Sequence, residues 1–179
     1  MEKEVIGIVG TIGSGKDTAG DYIAKKLGIP SFQISSPLKE ISSAKGIEPT
    51  RENLIALGTQ LAAEKGDGYL AQYIVDLVPE KAVITGMRQL GQIVVLKASS
   101  KLNLISIDAD PQTRFERTQK NGKLGEATTL EEFLFRENAE NSAPNAQRVF
   151  ECMNLADEHV TNNGSLEELY AHLDEILAL

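Results

Sequence analysis

The residues best suited to chemistry stand early in the chain. Gly10-Thr-Ile-Gly13-Ser14-Gly15-Lys16-Asp17-Thr18 fits G-x-x-x-x-G-K, with Asp in place of the usual Ser or Thr and a threonine one step later. Glycines let a backbone curl until several N–H groups face one anion, and a helix opening directly afterwards adds its positive dipole end. Lys16 supplies a mobile charge able to follow the outer phosphates of a polyphosphate. Chance produces G-x-x-x-x-G-K-x-T in roughly one chain of this length in several hundred. A dinucleotide fingerprint fits less well. Thr18 stands where G-x-G-x-x-G/A needs Gly or Ala, and Gln33-Ile-Ser35 offers no carboxylate to a ribose. Gly13, Ser14, Gly15, Lys16, Asp17 and Thr18 are therefore the candidate phosphate contacts, and Asp17 and Thr18 the candidate contacts on the Mg²⁺ side. Asp17 removes the hydroxyl that ligates the metal directly, and as a first-turn acid it also complements the helix dipole.

The other chemistry is cationic. Arg114, Arg117, Lys120 and Lys123 fall within ten residues, and the two arginines, three apart, share a face of a helix. Such cations suit phosphoryl transfer, which asks mainly for positioning and positive charge around the moving oxygens. Arg88 follows a strand, Arg51 opens a helix, and Lys39 lies near a helix start, where a cation opposes the dipole. Arg136 sits in an acidic stretch, Glu126 to Glu140, read as a solvated face or as partners for the arginines. Arg148 is a weaker candidate of the same kind. Asp110-Pro111 reads as a helix cap followed by proline at the first helical position, and Cys152 as a packed thiol.

Positioning these groups requires alternating strands and helices. Residues 5–9, 31–34, 82–85, 102–107 and 159–161 read as strands; residues 16–27 form a helix stopped by Gly28-Ile-Pro30. Thr50 and Ser165 read as caps of two further helices. Near-continuous apolar strands joined by helical crossovers make an α/β fold with a parallel sheet covered on both faces. Ligands in such sheets bind beyond the carboxyl ends of the strands, after residues 9, 34, 85 and 107 and around 162–164.

Composition narrows the class. The chain has 179 residues and a net charge of −8, from 18 Lys+Arg against 26 Asp+Glu. That field repels nucleic acid and anionic membranes, so neither is expected as a partner. No apolar run approaches the roughly 20 residues of a membrane span. Met-Glu-Lys-Glu leads straight into a strand, so no signal peptide is expected, and one cysteine suits a reducing, cytoplasmic setting. Two histidines, His159 and His172, exclude Cys/His zinc sites.

Gly10–Thr18 resembles the Walker A loops of nucleoside monophosphate kinases and dephospho-CoA kinases. Phe32-Gln-Ile-Ser35-Ser-Pro37-Leu-Lys39 and Arg51-Glu-Asn-Leu-Ile-Ala-Leu-Gly58-Thr59 are similar to the acceptor-binding segments of deoxynucleoside monophosphate kinases. Ile84-Thr-Gly-Met-Arg88 stands where that group often has Asp-x-Arg, Asp110-Pro-Gln-Thr-Arg114-Phe-Glu-Arg117 looks like the helix into their lid, and 156–165 resembles the adenine-side loop of dephospho-CoA kinases. Ser35 and Thr85 depart from the pattern, since both replace expected carboxylates.

The resemblance implies a three-layer P-loop NTPase fold: a parallel sheet of about five strands, helices on both faces and a helical lid. It implies one domain over 1–179, with an acceptor-binding insertion at about 35–78 and a lid at about 114–148. It further implies an ATP- and Mg²⁺-dependent kinase, monomeric or homodimeric, that phosphorylates a nucleoside or deoxynucleoside monophosphate. The alternatives are a ribose hydroxyl of the dephospho-CoA type, or a nucleotide-binding regulator. Lys16, Arg88 and Arg117 would be catalytic; Arg117, Asn163 and Gly164 would join the loop around the donor; Ser35, Lys39, Arg51, Arg88 and Arg136 would hold the acceptor.

Overall fold

The computed structural model describes residues 2–122, 127–142 and 147–178, with the backbone alone for Arg51. The elements run β1 (Lys3–Gly10), α1 (Lys16–Leu27), β2 (Ser31–Gln33), α2 (Ser36–Ala44), α3 (Arg51–Lys65), α4 (Tyr69–Leu77) and β3 (Lys81–Thr85). Then follow α5 (Leu90–Ser99), β4 (Ser100–Asp108), α6 (Pro111–Lys120), α7 (Leu130–Ser142), α8 (Val149–Asn154), β5 (Glu158–Thr161) and α9 (Leu166–Leu177). The five strands form one parallel sheet in the order β2-β3-β1-β4-β5. This is the three-layer P-loop arrangement, with β1 and its loop at the centre.

Period-two alternation sorts each strand between two cores. Val5 and Val9 of β1, Ala82 and Ile84 of β3 and Leu104 of β4 face the side covered by α2, α3, α4, α5 and α8. Ile8, Val83, Ile105 and Ile107 face the opposite side, with Ala19 and Ile23 of α1 and Leu169 and Leu173 of α9. Burial on both faces is why these strands read as continuous apolar runs. A third, smaller cluster joins Phe115 of α6 to Phe133 of α7, with Ile12 of the phosphate loop packed against it.

Local signals set most boundaries. Thr50 caps α3 by accepting from the Asn53 N–H at 3.2 Å, but Asn53 does not return the bond and donates instead to the Glu48 carbonyl. Ser165 and Glu168 make the full reciprocal cap of α9. Among the described residues no helix is long and apolar enough to cross a membrane.

Leu173 is fully buried between α9 and the sheet, whereas Val94 is 63 % exposed. Leu173→Ala should lower unfolding free energy in urea by about 2–5 kcal/mol, and Val94→Ala should change it by no more than about 0.5 kcal/mol.

Candidate functional site

The loop leaving β1 is held from behind. Its carbonyls are taken by side chains from other elements: Asn162 Nδ2 donates to the Ser14 carbonyl at 2.8 Å and Arg114 Nη1 to the Ile12 carbonyl at 3.3 Å. Thr11 Oγ1 donates to Asp108 Oδ1 at 2.6 Å, tying the loop's first residue to the end of β4. Two glycines make this close approach possible. Gly13 has φ +78°, and a Cβ there would lie 2.5 Å from the Arg114 carbonyl oxygen. Gly15 has φ +96°, and a Cβ there would lie 2.5 Å from Asn162 Nδ2. Both positions forbid an L side chain on two counts, backbone and space.

Beside the loop lies a cavity of about 340 Å³, lined by Gly13, Gly15, Lys16, Asp17 and Thr18 together with Arg117, Thr118, Asn121, Asn162, Gly164 and Leu166. The structure thus brings five of the six predicted loop residues to this cavity. The sixth, Ser14, is fully buried, and its Oγ is the one buried side-chain polar atom among the described residues without a hydrogen-bond partner. Lys16 is largely buried, with Nζ 3.9 Å from Asp17 Oδ2. Arg117 is pinned within the same lining, donating to the carbonyls of Asn162 at 2.8 Å and Gly164 at 3.4 Å. Asn163 turns elsewhere: its Oδ1 accepts from the Asp110 N–H, and its neighbour Asn162 takes the place facing the cavity.

No group of three or more His, Cys, Asp or Glu gathers among the described residues. A cation here would therefore take ligands from Thr18, Asp17, phosphate oxygens and water, as suits Mg²⁺, which keeps much of its hydration. The glycine-shaped cradle and the amide-lined wall fit a polyphosphate carrying such an ion.

A second cavity, of about 370 Å³, opens beside β3. Leu54, Ile55, Gly58, Thr59, Leu61 and Ala62 of α3 form one wall, with Ile34, Ser35, Leu38, Tyr69 and Leu70 next to them. Polar groups come from the other side: Arg88, Gln89, Gln92 and Gln147, with Asp67 at the rim. The Arg88 guanidinium donates to Gln147 Oε1 at 2.9 Å. Gln92 Oε1 accepts from the N–H groups of Arg88 at 2.8 Å and Gln89 at 3.2 Å, leaving Nε2 as the donor on the cavity side. Thr85, where a carboxylate was expected, is 2 % exposed, and its methyl fills the space that Gly20 of α1 leaves.

The remaining predicted residues lie apart. Lys39 is exposed on α2 and outside the described lining of this cavity. Arg51 opens α3, and its side chain lies outside the described residues, as does Lys123. Arg136 is exposed on α7 and lines neither cavity. It faces Glu132, whose carboxyl is held below its usual range chiefly by the Thr128 backbone N–H and hydroxyl, and less by Arg136.

Arg114 turns from the cavity to Glu137, in agreement with the reading of the acidic stretch as partners for the arginines. It is 4 % exposed and pairs in two parallel bonds with Glu137, at 2.6 and 2.9 Å, while Nε donates to the Ala109 carbonyl. The i, i+3 spacing did put Arg114 on the face of Arg117, but packing of α7 supplied a buried counterion. Asn162, Gln92 and Gln147 carried weaker signals: Gln89-x-x-Gln92 is a cap spacing, Asn162 adjoins a flagged loop, and Gln147 had none.

Arg114→Ala leaves Glu137 buried and unpaired, so it should cost about 3–5 kcal/mol in urea unfolding. Burial pushes the Cys152 thiol up to about 12, with the charges of Glu151 and Asp67 adding to it. Iodoacetamide at about pH 8 should therefore leave native Cys152 unlabelled and alkylate it only once urea unfolds the chain.

Comparison with known proteins agrees with this architecture. Residues 6–143 match the family model described as an AAA domain. A UPF0200 protein of Hyperthermus butylicus is 32% identical over 178 residues, covering 97% of this chain and 93% of the relative. UPF0200 protein MJ1399 of Methanocaldococcus jannaschii is 31% identical, covering 97% and 88%. Among solved structures, shikimate kinase from Acinetobacter baumannii in complex with shikimate superposes with a TM-score of 0.60 at 17% identity, covering 98% of this chain and 94% of that one. That likeness is one of fold. With a glycine-rich P-loop on the central strand of a parallel sheet and relatives matching along nearly its whole length, the chain belongs to the AAA-domain family and to the UPF0200 proteins.

Proposed function

We propose that this protein is a P-loop kinase that moves the γ-phosphoryl of ATP to a nucleoside or deoxynucleoside monophosphate. One observation carries the reading: the phosphate-loop cavity and the second cavity open at the carboxyl ends of the adjacent strands β1 and β3, with Arg88 in the second. The Gly86 N–H donates to the Ile8 carbonyl, so the two strand ends are stitched side by side.

The chemistry of the second cavity favours this acceptor. One wall is aliphatic, and the other offers Arg88 as a cation for a phosphate and Gln92 Nε2 as a donor for a base heteroatom. A polyhydroxylated acceptor would press hydroxyls against Leu54, Leu61 and Leu70 without partners, which is costly. Asp67, the single carboxylate in the described lining, stands between α3 and α4 and accepts from the Gly91 N–H. A hydroxyl acceptor needs a base to take its proton; a phosphate acceptor presents an oxygen already ionised and needs none. Ser35 just past β2 and Thr85 at the end of β3 suit the second case.

In this reading the loop amides and Lys16 hold the donor phosphates, and Arg117 with Leu166 holds the base end. Arg88, and Arg51 at the start of α3, orient the acceptor phosphate beside Ser35. Asp17 and Thr18 would hold a bound Mg²⁺, which would supply positive charge against the charge developing on the phosphoryl group. Residues 35–78 supply the acceptor walls, and residues 114–148 cover the donor side, within one domain over 1–179. Lys39 and Arg136 act only on closure of those segments.

ADP release measured over a panel of nucleoside monophosphates, dephospho-CoA and shikimate tests the acceptor. Turnover should appear with a nucleoside monophosphate; turnover confined to either of the others would sink the reading. Tight ATP binding without acceptor-dependent release would mark a nucleotide-binding regulator instead. Lys16→Met should lower kcat/KM by about 100-fold or more. Arg88→Ala should act mainly on the acceptor, raising its KM by about tenfold or more with ATP affinity little changed.

A further inference from the structure

One helix is tied at both ends toward the two cavities. Ile12, in the phosphate loop, packs against the Phe115–Phe133 cluster, to which Leu130 and Leu134 at the start of α7 also belong, and its carbonyl accepts from Arg114, which is bound to Glu137 in the middle of that helix. One turn further on, Asn141 Nδ2 donates to the Glu137 carbonyl at 2.8 Å, and its Oδ1 accepts from the Val149 N–H at 2.8 Å, the first amide of α8. The adjoining Arg148 N–H donates to the Arg88 carbonyl at 2.7 Å, and Gln147 Oε1 accepts from Arg88 Nη1. A run of hydrogen bonds therefore joins the donor loop to the arginine of the second cavity, and the Asn141 carboxamide is its link between α7 and residues 147–149.

We propose that Asn141 is a positioning residue: it sets residues 147–149, and through them Arg88, in a place governed by the phosphate loop. Nucleotide on the loop then orders the acceptor side before any acceptor arrives. The physical basis is that Asn141 uses both ends of a planar amide. Its carbonyl end meets an N–H at the start of α8, and its amino end meets the last turns of α7. A shift of α7 is passed on as a shift of residue 149. The proposal rests on the donor-loop reading and is independent of which acceptor is used.

Residue-resolved hydrogen exchange of the Arg148 and Val149 amides, with and without the non-hydrolysable analogue AMP-PNP, tests it. In the unmodified protein, saturating AMP-PNP should slow both amides by about fivefold or more, the lower end of ordinary coupling between two sites. Asn141→Ala should bind AMP-PNP with affinity within about threefold and lose that slowing. Asn141→Asp retains the oxygen facing Val149 but loses the donor to the Glu137 carbonyl, so it should keep the basal protection of Val149 and still lose the nucleotide-dependent slowing. A role limited to stability would instead speed exchange in Asn141→Ala equally with and without nucleotide, which overturns the proposal. So does an absence of slowing in the unmodified protein. Failure of AMP-PNP to bind at all in a direct titration would remove the donor-loop reading and this proposal with it, whereas normal binding without slowing removes the proposal alone.

Discussion

A loop that offers its backbone amides to an anion has to surrender its carbonyls to something else. Here Asn162 takes the Ser14 carbonyl and Arg114 the Ile12 carbonyl, and both side chains reach the loop because β5 ends and α6 begins beside it. The order β3-β1-β4-β5 is what brings them there. Gly13 and Gly15 then let these partners approach to distances that any Cβ would block. The cradle is thus a tertiary object: its forward face belongs to nine consecutive residues, and its back is built from positions more than a hundred residues away.

Electrostatics follow the same division. The chain is acidic overall, and three of its 18 Lys and Arg line the two cavities. Lys16 sits at the loop, Arg117 in the same cavity and Arg88 in the second cavity. Arg114 is spent otherwise, its charge matched by buried Glu137, and the pair fastens α7 onto α6 and the loop. A buried pair of this kind contributes little net stability against a well-packed apolar substitute, yet losing one partner is expensive. It makes the placement of α7 dependent on the loop's shape. The same helix carries Asn141, which reaches the start of α8 and so the neighbourhood of Arg88.

The second cavity records what the fold has left out. Thr85 ends β3 with its methyl packed on Gly20, so the strand position that could have carried a carboxylate is used for helix-to-sheet contact. Ser35, two residues past the short edge strand β2 at the start of α2, carries no charge. The cavity around these residues mixes leucines and isoleucines with three glutamines, one guanidinium, the Asp67 carboxylate and the hydroxyls of Thr59 and Tyr69. Such a cavity suits an anionic ligand with a flat apolar part better than one bearing many hydroxyls.

The sequence determined the strands, the phosphate loop, α1 with its glycine stop, the cap of α9 and the parallel class of the sheet. Each of those rests on local periodicity or on backbone freedom within a few residues. Thr50 was legible as a cap for the same reason, although Asn53 found a different partner. Tertiary structure alone decided the fates of Arg114 and Arg117, two residues with the same charge, helix and face. One met Glu137 from a helix that sequence spacing could not place, and the other met the carbonyls of 162 and 164. It likewise turned Asn163 toward Asp110 and Asn162 toward the loop, and it brought Gln147 to Arg88. Side-chain partners across the chain depend on how whole elements pack, and that information is spread over every buried contact rather than carried by any local pattern.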